Sequence, residues 1–148
     1  MMNRNLDQIS SLLQKDAVNY SVFLRMCEVS NAGVGRSDAY VRACFGDEIV
    51  LGGVEEVDGK KAVNEIIEAL CFAGDKEAGP SAALLKSQEF TEAIGQLKHD
   101  LNETVRTSKK VEKFWVSENH PAYPVFWDFG FLFFLEEKVI VFIGSSSD

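Results

Sequence analysis

The amino-acid sequence predicts an α+β fold, with N-terminal helices packed on a C-terminal antiparallel β-meander of about three to four strands. Apolar residues near the start recur at spacings of three and four, the period of a helix. After Thr107 the spacing changes to an alternation. The last quarter then holds two runs of β-branched and aromatic residues, Tyr123 to Leu135 and Val139 to Ile143. A short polar gap separates them, which reads as a hairpin of buried strands.

The N-terminal stripe is Leu6, Ile9, Leu13, Ala17, Tyr20, Leu24 and Cys27. It fits one long helix, or two joined near Asp16 to Asn19, with Asn3 or Asn5 as cap and Asn31-Ala-Gly33 as the stop. Between Gly33 and Gly59 glycines punctuate short segments. Tyr40 to Phe45 is ambiguous, and Ile49-Val50-Leu51 before Gly52-Gly53 predicts a short strand. Asp58 is placed to cap a helix whose face is Val63, Ile66, Ile67 and Leu70, ended by Gly74. Gly79-Pro80 opens a helical turn through Leu85. Ser87 starts a further helix with the stripe Phe90, Ala93, Ile94, Leu97, Leu101 and Val105. Lys109 to Ser117 alternates as a strand, and the prolines of His120-Pro-Ala-Tyr-Pro124 stiffen the approach to the next one. Val125 to Leu135 is apolar on both faces, so it belongs at the centre of the sheet. Glu136-Glu-Lys138 is the turn, and Val139 to Ile143 pairs back. No repeat, linker or low-complexity tract divides the chain, so residues 1–148 are expected to form a single domain.

A length of 148 residues suffices to bury a core without staples, and 46% hydrophobic with 26% charged residues is an ordinary globular composition. Cys27, Cys44 and Cys71 are odd in number, widely spaced and set among apolar neighbours. They read as buried thiols in a reducing compartment. The start has no apolar h-region, so no signal peptide is expected. The longest apolar run contains Asp128 and is too short to span a bilayer as a helix. The expected location is the cytoplasm.

Net charge is −8, unevenly spread. Asp47 to Glu77 holds nine acids against three lysines, a net of −6, while the remainder is nearly balanced. Such a field repels nucleic acid and anionic membrane and attracts basic partners. A solvated surface that keeps the protein soluble accounts for the same charges.

The chemistry-bearing residues form no recognised catalytic signature. His99 and His120 with three cysteines lack the close ligand pairs of a structural zinc site, and calcium-loop spacing is absent, so neither metal nor cofactor is expected. Cys44, His120 and Asp128 are the residue types of a nucleophilic triad, but nothing beside Cys44 resembles a nucleophile turn, and a core cysteine next to Phe45 is the reading adopted. Gly52-Gly53 and Gly33-Val-Gly35 are too short for a phosphate loop, and Gly144 to Asp148 reads as a frayed polar tail. Lys109 to Trp115 interleaves basic and aromatic residues, but from Lys98 to Lys113 five basic residues face three acids, too weak a field for nucleic acid.

Asp128 is anomalous within Val125 to Phe131. A buried isolated carboxylate costs several kcal/mol, so it must be paired, hydrogen-bonded or on an open face. A structural hydrogen bond toward the Tyr123 or His120 region is expected. The alternative is a small-ligand or enzyme pocket formed by Tyr123, His120 and Asp128.

The acidic window Asp47 to Glu77, together with the aromatic C-terminal hairpin ending Phe142-Ile-Gly-Ser-Ser-Ser-Asp148, resembles bacterial immunity proteins of toxin–immunity systems, including those of contact-dependent growth inhibition. That resemblance implies a non-enzymatic protein that binds and blocks a cognate toxin domain, often a basic nuclease. It assigns partner binding to Asp47, Glu48, Glu55, Glu56 and Asp58. A regulatory or adaptor domain is a third class consistent with the chain.

Overall fold

The computed structural model describes residues 2–31, 35–75 and 77–148. Its elements run α1 (Met2–Gln14), β1 (Ser21–Ser30), α2 (Ser37–Phe45), β2 (Val50–Val57), α3 (Gly59–Leu70), α4 (Ala82–Leu85), α5 (Gln88–Thr107), β3 (Lys110–Glu118), β4 (Asp128–Phe134) and β5 (Lys138–Ser147). The five strands form one antiparallel sheet in the order β1-β5-β4-β3-β2. The fold is α+β, as expected, with five strands in place of the expected three to four. β3, β4 and β5 are the anticipated meander. β1 and β2, interleaved among the helices, become its two edges.

β1 is the strand beyond the expected number, and β2 is longer than the short strand expected at Ile49 to Leu51. The stripe drawn through Ala17, Tyr20, Leu24 and Cys27 is not helical. Asp16 and Asn19 adopt positive φ (56° and 47°) and end the helix, and the chain then extends as β1. From there Val22 and Leu24 alternate into the core, and Cys27, three residues beyond Leu24, turns to the opposite face. Neither Asn3 nor Asn5 caps α1, since both lie inside it. Asn5 instead donates from Nδ2 to the Ala93 carbonyl at 3.2 Å, tying α1 to α5. The proposed Asn31-Ala-Gly33 stop runs into residues 32–34, outside the described residues. The predicted short strand at Ile49 extends as β2 to Val57, because pairing with β3 carries it through residues of low strand propensity.

Capping follows local sequence. Asp58 Oδ2 accepts from the Lys61 amide at 3.1 Å, Ser87 Oγ accepts from the Phe90 amide at 3.2 Å, and Ser81 Oγ accepts from the Leu84 amide at 3.3 Å. Pro80 lies one residue before the Ser81 cap rather than inside the turn.

Both faces of the sheet are covered. Leu6, Ile9 and Leu13 of α1, Val63, Ile66 and Leu70 of α3, and Phe90, Leu97 and Leu101 of α5 share one core with Phe129, Phe131, Phe133 and Phe142. On the opposite face Tyr40 and Val41 of α2, with Ile49, pack near Phe114, Leu132, Val139, Val141 and Ile143. This two-sided burial explains why β4 and β5 are apolar throughout, and β4 is the central strand. Each buried phenylalanine contributes about 1.5–3 kcal/mol. The expected frayed tail is corrected as well. Ser145 and Ser146 are buried, and β5 runs to Ser147, whose register partner is Ser21. Ser146 anchors the segment leading into β4: its carbonyl accepts from the Val125 amide at 2.7 Å and its amide donates to the Trp127 carbonyl at 3.0 Å.

Candidate binding surface

The five acidic residues singled out in the sequence are all exposed and follow one edge of the sheet. Asp47 and Glu48 lie in the connection from α2 to β2. Glu55 and Glu56 lie within β2, and Asp58 follows it as the cap of α3. An eight-residue strand is about 26 Å long, so the carboxylates are strung out rather than clustered. Glu55 is opposite Lys113 and Glu56 opposite Glu112, so successive acids take opposite faces. Two neighbouring lysines are engaged elsewhere, Lys113 Nζ 2.9 Å from Glu65 and Lys110 Nζ 3.2 Å from Glu112, while Lys109 borders a surface cleft with Glu56 and Asp58. Among the described residues Asp47, Glu48, Glu55 and Glu56 form no salt bridge.

Apolar side chains accompany the acids. Val50, Val54 and Trp115 are 37%, 38% and 43% exposed. The Trp115 ring lies directly over Gly52 and Gly53, and a Cβ at Gly53 would collide with it. The register slips at this point, between Val50 and Gly53. Sequence reading placed Trp115 in a strand but missed its exposure. The signal was the Gly-Gly pair, since glycine inside a strand marks a bulge or a close approach by another group.

His120, Tyr123 and Asp128 line one surface cleft of about 480 Å³, together with Val116, Asn119 and Pro124. Tyr123 is 82% exposed. The Ala122 amide donates to His120 Nδ1 at 2.9 Å, which leaves the proton of the neutral ring on Nε2. Burial pushes the His120 pKa below its ordinary value, and the negative charge of Asp128 offsets part of that shift. Asp128 is exposed at the first position of β4, and among the described residues its carboxylate accepts no hydrogen bond. The expected structural hydrogen bond is therefore absent there. The open face is the solution the chain adopts, and no buried charge has to be compensated.

The cysteines depart from expectation. Cys27 of β1 and Cys44 of α2 form a disulfide with Cα atoms 5.8 Å apart, while Cys71 is free and exposed. The reading of three buried thiols is thus corrected. It failed because it treated Cys27 as helical, whereas the strand turns that side chain toward α2. Bonded to Cys27, Cys44 is no nucleophile. Although Cys71 is exposed as a residue, partial desolvation of its thiol pushes the pKa up, away from the reactive thiolate. No group of three His, Cys, Asp or Glu side chains suited to a metal occurs among the described residues, and none of the described helices is long and apolar enough to cross a membrane.

Comparison with protein-family models, curated proteins and solved structures finds no match to this chain.

Proposed function

We propose that this chain is a non-enzymatic immunity protein that binds and neutralises a basic, nuclease-type toxin domain through the acidic edge built on β2. The observation that carries the reading is the alignment of five exposed carboxylates along an open sheet edge, beside exposed Trp115 and Val54. Complementary charge would speed the encounter, and an aromatic anchor would supply most of the affinity. The proposed site of action is the cytoplasm. The disulfide bears on that point, because such bonds persist mainly in oxidising compartments. A Cys27–Cys44 bond that survives in rapidly acid-quenched cells would move the encounter to an oxidising compartment.

Co-expression tests the activity. The chain should recover a basic protein at one-to-one stoichiometry in low salt and should rescue cells from that protein's toxicity. A partner that is recovered but remains toxic would contradict neutralisation. A second reading, a small-ligand site or an enzyme, draws on the shared cleft of His120, Tyr123 and Asp128. A metabolite retained in the native mass spectrum, and lost in a stable Asp128→Asn variant, would make it the leading reading.

A further inference from the structure

We propose that the outer edge of β2 accepts an extended basic segment of the partner protein as an additional strand of the sheet. The inference rests on the acidic-edge reading above and specifies its geometry. Among the described residues β2 pairs with β3 alone, so alternate residues turn their N–H and C=O groups outward, about four residues in a strand of this length. No residue of β2 is buried, from Val50 to Val57.

The side chains select the occupant. Val54 and Glu56 project to the face of α2. Glu55 projects to the other face, where Trp115 lies over Gly53. Each face of an incoming strand therefore meets one apolar group and one carboxylate. The complementary segment carries two adjacent basic residues opposite Glu55 and Glu56, next to two apolar residues opposite Gly53 and Val54. A second copy of this chain is disfavoured, because pairing two β2 edges would bring two sets of five acids together. The opposite edge, β1, lacks this character: its Glu28 is already paired with Lys138 at 2.8 Å, and Arg25 adds a positive charge.

Strand addition takes its affinity from main-chain hydrogen bonds and its specificity from alternate side chains, which gives two separable handles. The probe is a labelled eight-residue peptide with two adjacent lysines followed by two valines, flanked by threonines. Its control has the same side chains but N-methylated alternate amides. Fluorescence anisotropy gives affinity, and amide hydrogen exchange of the protein locates the contact. Methylation should weaken binding at least about tenfold, and the unmethylated peptide should slow exchange in β2 and not in β1. The charge-reversed pair Glu55→Lys and Glu56→Lys, checked for folding by circular dichroism, should also weaken it. Equal binding of both peptides, with loss on charge reversal, would overturn strand addition while leaving the acidic surface standing. Loss on methylation without any effect of charge reversal would keep strand addition and overturn the acidic reading. Protection on β1, or no binding at all, would overturn the proposal.

Discussion

At Asp58 one carboxylate caps α3 through the Lys61 amide and also belongs to the row of exposed acids along β2. Asp58→Ala should cost about 1 kcal/mol in urea unfolding, the usual loss at an N-cap. Charge reversal intended to probe binding alone should therefore spare it. Asp128→Asn should change stability by less than about 0.5 kcal/mol, since an exposed carboxylate without a hydrogen bond gives up little. A larger loss on denaturation would show a partner for that carboxylate. His120 carries the pH dependence of the cleft. Its folded pKa lies below the ordinary 6.5, so the unfolded chain takes up the proton first as pH falls. The contribution of His120 is fully present above that value and is lost as pH drops below it. Urea midpoints at about pH 7.5 and about pH 5.5 should diverge more in the parent than in His120→Gln. Equal divergence would contradict a half-buried, neutral imidazole. The Asp58 cap was legible in the sequence because it spans three residues. The Cys27–Cys44 bond was not, since it depends on Cys27 lying in a strand that passes α2.

Among the elements, α3 and α5 were legible because each has a local cap and an apolar stripe that a single helix can bury. β4 was legible as the central strand because only two covered faces accommodate so many consecutive aromatics. β1 was not, because Leu24 and Cys27 satisfy both a helical spacing and an extended chain; the positive φ at Asp16 and Asn19 decides between them. β2 was legible only at its start. Its remainder, with Gly52, Gly53, Glu55 and Glu56, is made extended by hydrogen bonding to β3, a long-range partner that local propensity does not contain. The clearest test at this scale concerns α2, which the disulfide holds to β1 across a separation of 17 residues. Unreduced protein should take up a single alkyl group under denaturing conditions, at Cys71. Reduction should lower stability by about 3 kcal/mol, as expected for a loop of this size. Alkylation of three cysteines without reductant would contradict the bond.

Across the whole molecule, charge and architecture act together. The sheet buries its aromatic strands at the centre and leaves two edges, and the sequence places a row of exposed carboxylates along one of them. This location was only half legible: the −6 window was visible as composition, but its arrangement along an edge required the register of β2 and β3. Exposed charges are screened beyond about 8 Å at physiological ionic strength, so their influence on a partner is a property of rate and salt. The most direct measurement is the association rate of the co-purified basic partner, followed by stopped-flow fluorescence over a range of salt. Four reversals to lysine, at Asp47, Glu48, Glu55 and Glu56, leave the Asp58 cap intact and should leave the melting temperature close to the parent's. For the parent, association should slow by about tenfold or more as salt rises, and the reversed protein should associate slowly at every salt concentration. Identical rates and identical salt dependence for the two folded proteins would contradict the acidic edge as the binding surface.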